Sequence, residues 1–328
     1  MKLQMLVPQY KETEEVIKPL LDSIAIQQNI DFENDIGVII VNDGSDVKLS
    51  SKFLKSYPYK IEYYEESHRG VSATRNACLD HATADYVMFC DADDMFLDVS
   101  GLFLLFKEMA TPFDSLSSIF IEEKHALDGK IEYIRKENDS TFVHGKVHRL
   151  QFLIDRNIRW NEDLQLHEDS YFNILCQSLG ERVLYMKHPF YLWKYRKDSV
   201  CREDPEFIVK TFHHLVDSNE ACIEALINRG KVDVARNVAF QMLYYTYFNA
   251  NKADWLKPEN AEYVKLTETK MGHYYQKYKK HIDGVDPTKQ VAMISSAKNK
   301  MYAEGLVMES ITFDDWVKKC VELANNEK

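Results

Sequence analysis

The chain has 328 residues, 45% of them apolar, which is enough to bury the core of one large domain and a smaller one and excludes a disordered protein. Its 41 basic and 52 acidic residues give a formal net charge of -11, which argues against a surface devoted as a whole to nucleic acid. Six cysteines (Cys78, Cys90, Cys176, Cys201, Cys222 and Cys320) lack C-x-x-C spacing, so the pattern indicates neither a zinc cluster nor a disulfide framework.

In chain order, "LQMLV" (3 to 7), "GVIIV" (37 to 41), "KIEYY" (60 to 64) and "DYVMFC" (85 to 90) predict strands. Between the first two, Val16, Leu20, Leu21 and Ile24 recur at helical spacing despite Pro19. The stretch from Gly70 to Ala82 predicts a further crossover helix, and "GLFLLFKEM" another. Such alternation builds a parallel sheet covered on both faces. After about residue 115, "LSSIFIEE", "LDGK" and "IEYIR" predict a hairpin turning at Gly129, and a helix pair follows around 149 to 180. From Asp204 the pattern is mostly helical, with "FIVKTFHHLVDSNEACIEALI" and "VARNVAFQMLYYTYF" as amphipathic stretches. The expected fold class is α/β: a Rossmann-like, mostly parallel sheet domain over 1–203 and a mainly helical region over 204–328. Tyr244, Tyr245, Tyr247, Phe248 and Trp255 read as core or subunit interface. No basic-then-apolar leader opens the chain and no apolar run nears the ~20 residues of a membrane span. With reduced thiols as the default, the expectation is a cytoplasmic protein, with room for peripheral attachment at the inner face of a membrane and for homo-oligomerisation.

Ligands of an open parallel sheet bind outside the carboxyl ends of its strands. Here those ends read "PQYKE", "NDGSD", "EESHRG" and "DADD". "NDGSD" alone has the composition of an ordinary turn, but polar residues crowd all four ends. In "YVMFCDADDMF" (86 to 96) an apolar run ends in Asp91, Asp93 and Asp94, and a buried strand has nowhere to put such charge. Carboxylates in this pattern suit Mg²⁺ or Mn²⁺; a solvated loop or a helix cap at Asp93 or Asp94 is the plain alternative.

With "HRGVSATRNACLDHATADYVMFCDADD" (68 to 94) added, the sequence resembles the family 2 glycosyltransferases. They carry an amino-terminal proline and aromatic motif, an "NDGS"-like turn, a "GxxxARN" helix start and DXD acids, here in order over about 200 residues. The segment "FVHGKVHRLQFLIDRNIRWNEDLQLHEDSYFN" (142 to 173) is similar to the family's acceptor-side stretch, which ends in a Glu-Asp pair. The resemblance implies a GT-A nucleotide-sugar-binding domain and an inverting transferase that moves a sugar from a nucleotide diphosphate, with UDP expected, to a hydroxyl.

It further implies Asp169, beside Glu168, as the base that takes the hydroxyl proton. Asp93 becomes the direct ligand of Mn²⁺ or Mg²⁺, with Asp91 towards the ribose or the ion and Asp94 in support. Pro8 and Tyr10 would flank the nucleotide base, Asp43 would bond its polar edge, and Arg75 would meet base or phosphates. His188, Lys197 and Arg202 stand where relatives close over the diphosphate, Arg202 being the favoured one. Lys11, Asn42 and His68 depart from residues common in the family, so altered contacts to base and phosphate are expected. Lys146 and Arg149 read equally as acceptor contacts or as a solvated helix start. The expected acceptor is a glycan or cell-surface polymer. Nucleic acid is disfavoured by net charge, though "KYKKH" (277 to 281) offers a local basic patch and a protein acceptor stays open. Rival readings are a catalytically dead sugar-nucleotide-binding fold and an aspartyl phosphatase, which would explain "DADD" but neither "VPQY" nor the Glu-Asp pair.

Overall fold

The computed structural model describes residues 1–125, 129–196, 206–303, 305 and 309–327. The chain forms two compact units, one from the described residues of Met1–Asp163 and Glu168–Lys197, the other from those of Leu164–His167 and Asp198–Lys328.

The first unit is built on a sheet of nine strands among the described residues. Its leading half runs β1 (Leu3–Gln9), α1 (Glu14–Ala25), β2 (Ile36–Asp43), α2 (Ser51–Leu54), β3 (Lys60–Glu66), α3 (Val71–His81) and β4 (Tyr86–Phe89). These four strands are parallel, in the order β3, β2, β1, β4. Every residue of β2 is buried, as expected for a central strand covered on both faces. The strands run past the apolar stretches seen in the sequence because the register pairs Gln9 with Asn42 and Asp43 with Glu66, so the backbone ladder continues into polar residues. The helix α1 accommodates Pro19 and buries Ile17, Leu20, Leu21 and Ile24, which shifts its apolar stripe from Val16 to Ile17.

The second half adds β5 (Met95–Phe96), α4 (Gly101–Glu108), β6 (Ser115–His125), β7 (Ile131–Lys136), β8 (Lys146–Arg149), α5 (Leu150–Asp155), α6 (Glu168–Leu179) and β9 (Val183–Trp193). Here β8 pairs antiparallel with both β4 and β6, β9 runs parallel to β6, and β5 and β7 close as antiparallel neighbours of β9 and β6. Residues 146–149, read in the sequence as a helix start, are a strand. Lys146 is buried, with Nζ donating to the Phe142 carbonyl, and Arg149 pairs with Asp114. The parallel and antiparallel halves meet at β4, whose end carries the aspartate turn.

The second unit contains α7 (Phe207–Asn228), α8 (Val232–Ala250), α9 (Ala261–Asp283), α10 (Pro287–Ala303) and α11 (Phe313–Asn326). Phe212, Tyr247, Phe248, Trp255, Tyr274 and Trp316 fill its interior, so the tyrosine-rich stretch of α8 serves packing. Lys277, from the basic run on α9, is ion-paired with Glu224 at 3.0 Å, which reduces its free charge. No helix of the described residues is long and apolar enough to cross a membrane. Five cysteines are buried free thiols; Cys201 lies outside the described residues.

At Gly272, α9 approaches α11 so closely that an added Cβ would sit 2.1 Å from the Cys320 carbonyl oxygen. In an isolated helix Gly to Ala gains about 1 kcal/mol. Here the obstacle is backbone, and displacing it costs about 1–3 kcal/mol. Gly272→Ala is therefore expected to lower stability in urea unfolding despite its better helix propensity; a gain would show that the two helices part freely.

Candidate active site

The strand ends supply the site. At the end of β2, both Asp43 oxygens are engaged by the loop after β3: Oδ1 accepts from the Arg69 N–H at 2.8 Å and Oδ2 from the Gly70 N–H at 3.0 Å. His68 Nδ1 lies 2.9 Å from the same Oδ2. The His68 ring stacks on Tyr10, with centroids 4.6 Å apart and planes 19° apart. Tyr10 is 41% exposed, unusual for so large a ring, so Tyr10, His68 and Asp43 form one surface cluster. Gly44 follows with φ +68, a conformation that favours glycine, and its Cβ position lies 2.5 Å from the His68 backbone nitrogen. Asn42 closes this turn with Oδ1 accepting from the Ser45 N–H at 2.8 Å.

At the end of β4 the three aspartates have three different partners. Asp94 is fully buried; it accepts from the Tyr191 hydroxyl at 2.8 Å and from the Lys194 N–H at 2.9 Å. The Tyr191 oxygen in turn accepts from the Asp91 N–H at 3.1 Å, so one hydroxyl staples the turn. Asp93 faces Arg196, Nη1 to Oδ2 at 3.2 Å, and Arg196 also reaches Glu12 at 3.3 Å. Glu12 accepts from the Tyr10 N–H at 2.5 Å, which links the first strand end to the fourth. Asp91 faces Arg75.

Arg75, on α3, is the hub. Its Nη2 lies 3.2 Å from Asp91, and its Nη1 donates to Glu168 at 3.0 Å and to Asp169 at 2.7 Å. The guanidinium lies 4.4 Å above the Trp160 ring, which is itself stacked on Phe172 at 4.3 Å. Trp160 is positioned by Asn76 of the "TRN" stretch, which bonds both its carbonyl and its N–H at 2.9 Å. Glu168 and Asp169 occupy the first turn of α6, where a helix N-terminus favours anions. The second Asp169 oxygen accepts from the Val143 N–H at 3.1 Å.

Burial opposes the charge on Arg75, but Asp169, Asp91 and Glu168 outweigh it and raise its pKa, so it stays a cation. One guanidinium cannot neutralise three carboxylates. Burial, helped by Glu168 and Asp91 and opposed by Arg75, pushes Asp169 up to about 7. Burial also raises Asp93 and Asp94, with Asp91 adding repulsion to each. His144, close to the turn, is lowered to about 4 by burial.

The structure thus gathers Asp91, Arg75, Glu168 and Asp169 into one cluster, and Tyr10, His68 and Asp43 into another. Pro8 sits in the β1 ladder opposite Val41, before the Tyr10 turn. His188 pairs with Asp98 at 2.7 Å; Lys197 and Arg202 lie outside the described residues. Sequence reasoning passed over Trp160, Tyr191, Arg196 and His144. Asp91, Asp94 and His144 each offer one donor atom, all within 4.8 Å of one another, a mixed oxygen and nitrogen set suited to a divalent cation.

Arg75→Met would leave three carboxylates uncompensated, and breaking such a buried cluster costs about 3–5 kcal/mol. Asp169, already pushed up to about 7 by burial, takes up a proton as pH falls, so the deficit should be largest at pH 7.5 and shrink at pH 5.5. Urea unfolding at the two pH values checks this. A deficit independent of pH would assign the loss to packing on Trp160 instead.

Comparison with known proteins agrees with this architecture. The family model described as "Glycosyl transferase family 2" matches residues 5–114. The glycosyltransferase GlyA of Streptococcus pneumoniae is 28% identical over 258 residues, covering 70% of this chain and 35% of that protein. The poly(ribitol-phosphate) beta-N-acetylglucosaminyltransferase TarS of Staphylococcus aureus is 25% identical over 218 residues, covering 60% of this chain and 36% of that one. The chain therefore spans about a third of the length of these curated relatives. The solved structure of S. aureus TarS 1-349 in complex with UDP superposes with a TM-score of 0.63 at 16% identity, covering 100% of this chain and 92% of that chain. Residues 5–114 thus match the family 2 glycosyl transferase model, and the chain has the GT-A fold.

Proposed function

We propose that this chain is an inverting glycosyltransferase that moves a sugar from a UDP-sugar to a hydroxyl of a glycan or cell-surface polymer, with the chemistry in residues 1–203. One observation carries the reading: a single buried guanidinium holds Asp91, from the aspartate turn, and Asp169, from the Glu-Asp pair, in one cluster. Donor-side and acceptor-side acids are thereby adjacent. UDP in the like-folded S. aureus chain supports the donor, and the polymer named for TarS supports the acceptor.

The nucleotide base is assigned to Pro8, Tyr10 and His68, with Asp43 holding the loop that presents His68. Arg75, already committed to carboxylates, keeps Asp169 oriented. Asp169 takes the proton of the acceptor hydroxyl as that oxygen bonds to the anomeric carbon. The bond from that carbon to the phosphate oxygen breaks, UDP leaves with the electron pair, and attack from the face opposite UDP inverts configuration. Glu168 raises the proton affinity of Asp169 by its negative charge. Mn²⁺ or Mg²⁺ held by Asp93 and Asp91 would supply charge neutralisation on the departing diphosphate. Arg196, between Asp93 and Glu12, and Arg202, outside the described residues, are assigned to the diphosphate.

Asp169→Asn is expected to cut transfer by roughly 10²- to 10⁴-fold while leaving UDP-sugar affinity near wild type. Because a base acts deprotonated, kcat/KM should rise with pH through about 7 in the wild type, and that limb should vanish in the variant. Product analysis with a nucleotide-sugar panel, with and without Mn²⁺, measures both; undiminished transfer by Asp169→Asn would remove the base assignment.

A further inference from the structure

We infer that His144 supplies a nitrogen ligand to a divalent-cation site completed by Asp91 and Asp94, and that this site binds Mn²⁺ or Co²⁺ in preference to Mg²⁺. The inference rests on the proposed function for the role of the ion; in the ligand set it puts Asp94 and His144 in place of Asp93, which is turned to Arg196, and it adds the selectivity.

His144 is only 2% exposed, and its Nδ1 is buried without a hydrogen-bond partner. Stranding a buried polar atom in that way is unfavourable, so an unused imidazole nitrogen at this place calls for a partner. That nitrogen points at the aspartate turn, 3.6 Å from Asp94 Oδ2. Its ring is fixed by near-parallel packing on Tyr191 at 5.4 Å and Phe142 at 5.7 Å, with Trp193 at 4.9 Å. Its loop is fixed too: Asn173 Nδ2 donates to the Thr141 and Phe142 carbonyls, and the Val143 N–H to Asp169. The imidazole cannot easily turn away.

The other two donors have capacity left. Asp94 accepts hydrogen bonds from Tyr191 and Lys194, one on each oxygen, and each carboxylate oxygen carries two lone pairs. Asp91 offers one carboxylate oxygen, and its side chain, 32% exposed, opens the site towards solvent. Metal-donor bonds of about 2.0–2.2 Å place ligand atoms roughly 3 to 4.4 Å apart, so donors within 4.8 Å of one another close onto an ion with small side-chain rotations. Asp93, turned towards Arg196, would join the same ion only by exchanging that partner. Mg²⁺ favours all-oxygen surroundings, whereas imidazole nitrogen suits transition ions; this is the source of the selectivity.

The test is pulsed electron paramagnetic resonance on the full chain loaded with Mn²⁺ and UDP, with histidine carrying ¹⁵N. Directly bound imidazole should appear as a ¹⁵N coupling in the wild type, a readout that needs no variant to fold. His144→Gln should abolish that coupling and weaken Mn²⁺ binding roughly 10- to 100-fold, with a far smaller change for Mg²⁺. Bound Mn²⁺ without histidine coupling, or no Mn²⁺ binding at millimolar concentration, overturns the inference. If sugar transfer remains Mn²⁺-dependent in the first case, the proposed function stands without it. Histidine coupling in a protein that transfers no sugar keeps this site and removes the proposed function.

Discussion

The arrangement depends on burying one arginine among three carboxylates. A guanidinium taken out of water requires partners, and both terminal nitrogens of Arg75 find them in Asp91, Glu168 and Asp169, with Trp160 under its face and only Nε left without a hydrogen bond. Those partners come from three separate stretches of chain, so the ion cluster can form only when α3, the β4 turn and α6 have all assembled. A planar fork with fixed donor directions specifies that geometry in a way that a lysine ammonium would not.

Around this hub the structure spends polar groups on holding loops. Asp43 collects backbone donors from residues 69 and 70, Tyr191 staples Asp91 to Asp94, and Asn76 clamps Trp160. Asp43 stands at the end of β2, Tyr191 near the end of β9 and Asn76 within α3, and each satisfies backbone groups that would otherwise be left without partners. The loops that bear the candidate ligands are thus extensions of the scaffold.

The parallel half of the sheet was legible because its strands are continuous apolar runs, and its ligand-bearing edge was legible because those runs stop together in polar residues. Strand β8 was not: "KVHR" buries a lysine and a histidine, and no hydropathy pattern marks such a strand. Asp91, Arg75, Glu168 and Asp169 could each be named from short motifs, but that they share one ion cluster is a tertiary fact. Trp160 and Arg196 lacked any local pattern. His144 stood in view within "FVHGKVHRL", yet its significance comes from aromatic packing on β9 and from the aspartate of the turn after β4, both distant in the chain.

The Tyr10 and His68 stack has a thermodynamic side. A planar ring arriving on the face that His68 covers must first displace an imidazole, and paired rings are worth about 0.5–1.5 kcal/mol beyond the area they bury. The newcomer gains only the difference between two similar contacts, while His68 also surrenders its bond to Asp43. On that face aromatic recognition becomes an exchange reaction with little net driving force. Discrimination among ring systems would then be shallow, and tight retention of any guest would have to come from whatever anionic portion it brings.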